Sequence, residues 1–484
     1  MSVRTRIVWD YSPAPEATDH VRLKDRYGLF LDGEFREPAD GRYQPTINPA
    51  TEEPIAEIAW AGPGDIETAV QSAGEAQPKW AALKPLERAK YLFRIARLIQ
   101  ERSRELAVVE TMDGGKPLRE SRDVDIPLAA AHFFHYAGWA DKLRYGVNAR
   151  EVAPLGVVGQ IVPWNFPLLM AAWKLAPALA CGNAAILKPA ETTPLTALLL
   201  AEVTAEAGLP NGWLSVVCGP ANDIGDVLVE DERVRALTFT GSGPVGWGLR
   251  RRAARKRVAL ELGNSTPMII AADADLERAA SIATATAFSY SGQTCISLQR
   301  IYVDRSVHDE FVRLLVPKVE ELVVGDPADE RTDVGPVIDE RSRDRILDWI
   351  VRSGGTILTG GTLTGDGLIR PTVISSPADD SELSCAEAFG PVCTVQPFDD
   401  VEDAFRRANA TPYGLQAGIF TADISLALRA VRALEFGGVV VNDAPSIRVD
   451  HMPYGGIKAS GNTREGPRYA AQEFSDERLV VVQL

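Results

Sequence analysis

Cysteine and histidine are scarce in this chain, five of each in 484 residues. Cys181, Cys218, Cys295, Cys385 and Cys393 are odd in number, widely spaced and free of any CxxC pair, which argues against a disulfide framework and a zinc knuckle. A chain this long buries a core without either device, so a reducing compartment fits best. No run of about eighteen apolar residues is present to span a bilayer. The opening MSVRTRIVWDYSPAPE carries two arginines but no apolar signal segment. A soluble cytoplasmic protein without a membrane partner is expected. An excess of positive charge is missing too: the net charge is -15, and nucleic acid needs clustered cations. The one basic run, LRRRAARKR at 249–257, falls on a predicted helix, where a solvated charged face is the plain reading. G-x-S-x-G, H-E-x-x-H and P-loop motifs are absent, which removes support for serine hydrolase, metalloprotease and NTPase readings. His132 and His135 stand one helical turn apart in AAHFFHYAGW with no third ligand nearby, and no metal is expected.

What is present is an alternation of strands and helices without internal repeats. Ala89, Leu92, Ala96 and Ile99 recur at helical spacing after KPLERAKY. The short apolar runs GVVGQIV, NAAILK, WLSVVCG, ALTFT and RVALEL then alternate with helical stretches up to residue 262, the pattern of buried parallel strands. A second series follows: RIYVD, TILTGG, PTVIS, PVCTV and GGVVVND, with helices predicted near 307–322, 339–353, 401–410 and 424–434. This predicts a second α/β domain. The closing ERLVVVQL reads as an apolar strand that pairs with a neighbouring subunit.

GSGPVG at 241–246 satisfies G-x-G-x-x-G after a predicted strand and before a helix, the context of a dinucleotide site. Glu261, fifteen residues on, fits either a ribose ligand or a catalytic base at a strand end. Spacing alone leaves both open. Cys295, in FSYSGQTCISLQR, is by composition either an ordinary thiol or a nucleophile.

Further segments bear on both questions. VPWNFPLLMAAWKLAPALACGNAAILKPAE (162–191), FTGSGPVG, LELG, SGQTC and EAFGPV, in that order, resemble the NAD(P)-dependent aldehyde dehydrogenase superfamily. TPYGLQAGIF and MPYGGIKASGNTREG extend the likeness nearly to the C-terminus. The resemblance implies an α/β fold with a Rossmann-type cofactor domain (1–135 and 155–262), a catalytic α/β domain (263–450) and a small β element for oligomerisation (136–154 and 470–484). A homodimer or homotetramer is implied.

The resemblance further implies Cys295 as nucleophile, Asn165 as oxyanion donor, Glu261 as general base rather than ribose ligand, and Lys174 as an electrostatic neighbour. It assigns Lys188 and Glu191 to the adenine ribose, Ser242 to the pyrophosphate, Glu387 to the nicotinamide ribose and Phe389 to its ring. Val162, Pro163, Trp164, Gly241, Gly246, Leu262 and Gly263 complete the cofactor surface. Glu191 would repel a 2′-phosphate, so NAD is expected over NADP, although Lys188 leaves dual use open. Phe166, Met170, Trp173 and Tyr454 match tunnel-lining positions, or are packing residues. Arg448 falls in the loop at the tunnel mouth, where it grips an acidic or hydroxylated aldehyde or is simply solvated.

Tyr290, Asn264 and Asp476 depart from the common pattern at an asparagine, a glycine and a glutamate position. SGQTCISLQRIYV and RVDHMPYGG look like branches acting on small oxygenated, lactaldehyde-type substrates, whereas WDYSPAPE is similar to bacterial relatives of the sixteenth aldehyde dehydrogenase family. The expected reaction is oxidation of an aldehyde to a carboxylic acid with NAD. The alternatives are an acylating, coenzyme A-dependent enzyme and a catalytically retired binding protein of the same fold.

Overall fold

Between residues 157 and 261 the apolar runs fold into five parallel strands whose order sets the position of the crevice. In the computed structural model, which describes residues 21–142, 151–253, 255–448, 452–481 and 483, the first seven-stranded sheet runs Arg257–Glu261, Val234–Thr240, Val157–Ile161, Ala184–Lys188, Leu214–Val216, Leu29–Leu31, Glu34–Arg36. From Val157–Ile161 the chain steps outward in one direction through Ala184–Lys188 and Leu214–Val216. It then returns to the other side for Val234–Thr240 and Arg257–Glu261. That reversal opens a cleft at the carboxyl ends of Val157–Ile161 and Val234–Thr240, where dinucleotides bind in doubly wound folds. The last two strands, Leu29–Leu31 and Glu34–Arg36, join antiparallel, a feature the apolar runs did not reveal.

Helices cover both faces. On one face, Pro85–Glu101 buries Ala89, Leu92, Ala96 and Ile99 as their spacing predicts, against Ile126–Trp139 and Pro167–Cys181. Every residue of Pro167–Cys181 is buried, which suits its nearly unbroken apolar sequence. The opposite face is closed by Pro63–Ala82, Ala221–Glu230 and Gly243–Arg252. The basic run divides: Gly243–Arg252 ends at Arg252, and Arg257 already opens the next strand. Arg252 pairs with Asp226 and Glu230, while Lys256 donates to the Leu228 and Asp231 carbonyls.

The second seven-stranded sheet runs Thr356–Thr359, Thr372–Ser375, Val392–Phe398, Leu298–Asp304, Thr266–Ile270, Gln416–Phe420, Gly438–Val441. Its helices Arg305–Glu320, Glu340–Arg352, Val401–Asn409 and Ile424–Ala433 lie close to their expected ranges. Thr356–Thr359 pairs antiparallel with Thr372–Ser375 and forms one edge.

Antiparallel pairing of Ser475–Arg478 with Glu151–Pro154 makes a separate two-stranded ribbon. The strand therefore ends before the apolar run that was expected to form it, and Leu479, Val480 and Val481 are exposed. The expected boundary at 135–136 falls inside helix Ile126–Trp139, whose Tyr136 and Ala137 are buried in the first core. The WDYSPAPE segment and residues 143–150 of the bridging element lie outside the described residues.

Candidate active site

Cys295 follows a tight turn, Ser289–Gly292, that departs from ordinary backbone geometry. Tyr290 and Ser291 have φ of 46° and 54°, and Gly292 has φ of +70°. Such conformations persist only where surroundings over-determine them. Here the Tyr290 N–H donates to Glu120 at 2.8 Å and its hydroxyl donates to the Gly114 carbonyl at 2.9 Å. The Lys116 ammonium lies 4.5 Å from the Tyr290 ring centroid. A Cβ on Gly292 would overlap the Gly390 carbonyl, so glycine is required there. Gln293 closes the loop by accepting from the Ile338 N–H at 2.9 Å.

Asn165 comes from the other sheet. It lies just beyond strand Val157–Ile161, is buried, and donates through Nδ2 to the Gln293 carbonyl at 2.9 Å. Phe166 then leads into helix Pro167–Cys181, where the spacing of Met170, Trp173 and Lys174 puts all three on one face. Tyr454 completes the thiol's surroundings: its hydroxyl lies 3.1 Å from Cys295 Sγ.

Glu261 ends strand Arg257–Glu261 and is buried, yet neither carboxylate oxygen accepts a hydrogen bond among the described residues. Burial, then the neighbouring Glu465 charge, push its pKa well above the usual carboxylate range, while Lys174 opposes the rise. Lys174 donates to Glu465 at 2.9 Å and to Thr238 at 3.0 Å. Burial also pushes the Cys295 thiol up; Glu261's charge adds to the rise and the Tyr454 hydroxyl counters it. Glu465 was not singled out in the sequence. Its one outward signal is a carboxylate inside the NTREG segment.

The expected cofactor residues gather along the cleft. Lys188 ends its strand, with Nζ 3.7 Å from Glu191, which also accepts from the Ala221 N–H at 2.6 Å. Gly241 and Ser242 bridge strand Val234–Thr240 to helix Gly243–Arg252, and a Cβ on Gly246 would press on Leu262 at 2.6 Å. The Val162 N–H donates to the Lys188 carbonyl at 3.1 Å, and beyond Pro163 the Trp164 ring meets Phe389 edge-on at 5.3 Å. Glu387 accepts from the Asn264 N–H at 2.8 Å, and burial raises its pKa to about 7. A Cβ on Gly263 would overlap the Glu387 carboxylate. A glycine-lined cleft with a carboxylate at each end fits a dinucleotide.

Trp173, Tyr454 and Arg448 cluster beside the nucleophile, whereas Phe166 packs edge-on against Tyr290. The Phe166 ring has the Lys116 ammonium 3.9 Å from its centroid. Trp173 meets Tyr454 edge-on at 5.7 Å, and the Arg448 guanidinium carbon lies 3.3 Å from the Trp173 ring centroid. The two histidines take aromatic partners: His132 stacks on Trp173 and His135 on Trp139. Among the described residues no group of three or more His, Cys, Asp and Glu side chains is placed to hold a metal ion, and no helix is long and apolar enough to cross a membrane.

An α/β protein built on two seven-stranded sheets, with a half-buried thiol and a buried carboxylate beside a dinucleotide-type cleft, has the arrangement of an oxidoreductase. The sequence model of the aldehyde dehydrogenase family matches residues 35–480, and the chain belongs to that family. It is 41% identical over 474 residues to the 3-sulfolactaldehyde dehydrogenase of Priestia aryabhattai, covering 95% of this chain and 98% of that protein. It is 40% identical to retinaldehyde dehydrogenase 3 of Rattus norvegicus, over 94% of this chain and 93% of that one. The solved structure of an NAD-dependent aldehyde dehydrogenase from Sinorhizobium meliloti superposes with a TM-score of 0.91 at 34% identity, covering 96% of each chain. The chain is thus an enzyme that oxidises aldehydes.

Proposed function

We propose that this enzyme oxidises its aldehyde to a carboxylic acid through a covalent intermediate on Cys295, with NAD as electron acceptor. The observation that carries this reading is Glu261: a buried carboxylate with no hydrogen-bond partner among the described residues, close enough to Cys295 for its charge to act on the thiol. Keeping an unpaired carboxylate in low dielectric is costly, and the cost makes sense where the group must take a proton.

In the first step the Cys295 thiolate forms a C–S bond with the aldehyde carbon, and the oxygen becomes an alkoxide. Asn165 Nδ2 and the Cys295 N–H serve as its donors. A nicotinamide held by Glu387 and Phe389 would supply the hydride acceptor for this carbon, and the adduct left on Cys295 would then be a thioester. Glu261 then removes a proton from water, the water oxygen attacks the thioester carbon, and the C–S bond breaks to release the acid and restore the thiolate. Lys174 and Glu465 set the charge around that base. Glu191 and Lys188 would hold the adenine ribose, Ser242 the pyrophosphate, and Glu387 and Phe389 the nicotinamide end. Glu191's carboxylate favours NAD over NADP by repelling a 2′-phosphate.

Glu261 also favours hydrolysis over acyl transfer to coenzyme A, because a thiol acceptor needs no activated water. The cofactor domain is assigned to residues up to 139, which keeps helix Ile126–Trp139 whole, and to 155–262, and the catalytic domain to 263–450. The ribbon of Glu151–Pro154 and Ser475–Arg478, with exposed Leu479–Val481, supports assembly into a dimer or tetramer.

Rapid-mixing measurement of NADH formation, with product analysis in the presence and absence of coenzyme A, tests the scheme. Cys295→Ala should abolish NADH formation. Glu261→Gln should release about one NADH per site and then stall at the thioester. An acyl-coenzyme A product, or equal slowing of burst and steady state in Glu261→Gln, would overturn it.

A further inference from the structure

Glu110, Lys116 and Asp125 are charged side chains that the proposed chemistry does not use, and each is only 1% exposed. Lys116 follows Gly115, whose φ of +70° ends helix Ser103–Gly114 and turns the chain. Its ammonium pairs with Asp125 and lies 3.7 Å from Glu110. It also lies 3.9 Å from the Phe166 ring centroid and 4.5 Å from that of Tyr290, while the two rings meet edge-on at 6.1 Å. One buried cation is thus shared by two aromatic rings.

Those rings belong to different parts of the site. Phe166 directly follows Asn165 and leads into helix Pro167–Cys181, whereas Tyr290 stands in the strained turn that precedes Cys295. Asn165 reaches the loop after that turn through its 2.9 Å bond to the Gln293 carbonyl. The ammonium therefore joins the segment that bears the oxyanion donor to the segment that bears the thiol. Taking a cation out of water is costly, and apolar residues of similar volume would serve stability as well. What a charge adds is orientation: the ion pair with Asp125 fixes the ammonium, and the ring faces turn toward it.

We infer that Lys116 is a positioning residue of the oxyanion site: anchored on Asp125, its ammonium holds Phe166 and Tyr290 together and so keeps the Asn165 side chain in place beside the Cys295 loop. The inference rests on the reading of Cys295 as nucleophile and Asn165 as oxyanion donor. Because the alkoxide forms only as the reaction proceeds, loss of the clamp should slow the chemical step and leave the binding of aldehyde and NAD nearly unchanged.

Lys116→Met, close in length and uncharged, tests this in a cycle with Asn165→Ala, read as the single-turnover NADH burst. KM for the aldehyde and NAD affinity, the latter from quenching of tryptophan fluorescence, are measured alongside. In the wild-type background the burst should slow about 10- to 100-fold, the loss expected when a reacting group is misplaced by about 1 Å, with KM and NAD affinity held within about twofold. In the Asn165→Ala background the same substitution should slow it less than about threefold, since its effect passes through Asn165. Tyr290→Leu, which removes one ring and leaves the ion pair, should show the same dependence on Asn165, and it answers the question should Lys116→Met not fold. An unchanged burst, an equal loss in both backgrounds, or a loss confined to KM or NAD affinity would overturn the inference while Asn165→Ala alone still slows the burst. A normal burst in Asn165→Ala would remove the oxyanion reading itself, and this inference with it.

Discussion

The Tyr454 hydroxyl lies 3.1 Å from Cys295 Sγ, across 159 residues of sequence. Among the described residues the hydroxyl works against the upward pull on the thiol from burial and from the carboxylates Glu261, Glu387 and Glu465. It stabilises the thiolate by donating to it.

Tyr454→Phe removes that donor and keeps the ring. Acylation, read as the pre-steady-state NADH burst, should slow about tenfold near neutral pH. The deficit should shrink as pH rises and the thiolate forms without help. A burst rate equal to wild type at every pH would show that the hydroxyl is a bystander.

Asn165→Ala should lower the hydride step by about 10²–10³, the loss typical of one oxyanion donor. NAD affinity should hold, since the side chain faces the Gln293 carbonyl rather than the cofactor cleft. An unchanged single-turnover rate would remove Asn165 from the oxyanion site.

These contacts mark the limit of what the sequence conveys. The strands between 157 and 261 are legible because burial on both faces makes them continuous apolar runs. Thr266–Ile270 was not, because a proline inside a five-residue stretch conceals a central strand. The proposed nucleophile, base and oxyanion donor come from family likeness alone, since only short motifs point to them. The partnership of Lys174 with Glu465 spans 291 residues and is fixed only when the Tyr454–Glu465 bridge brings that segment across the cleft. Nothing local in either segment encodes it. The sequence around Arg448 fits a grip or a solvated residue equally for the same reason: its stack on Trp173 exists only in the fold.

Glu465 raises the pKa of Glu261, and Lys174 lowers it. Glu465→Gln removes the anion and leaves the cation, so both changes favour the ionised base. The pH limb of thioester hydrolysis should therefore move to lower pH, seen in steady-state kcat measured across the neutral range. A limb that stays in place or moves upward would contradict the assignment of Glu261 as the group titrating there.

Burial, reinforced by Glu465, raises the Glu473 carboxyl to about 8. A carboxyl raised on folding contributes stability that is complete below its unfolded value and is lost as pH climbs through the folded one. Glu473→Gln should thus change Tm little at about pH 5 and raise it relative to wild type at about pH 9. An equal difference at both pH values would mean that Glu473 does not titrate in the native protein.

Lys188, Thr240 and Glu261 close rigid strands, whereas Arg448 lies in a connection beyond strand Gly438–Val441. Sequence change in that loop therefore leaves the strand ends in place, so the two parts of the chain are free to vary separately.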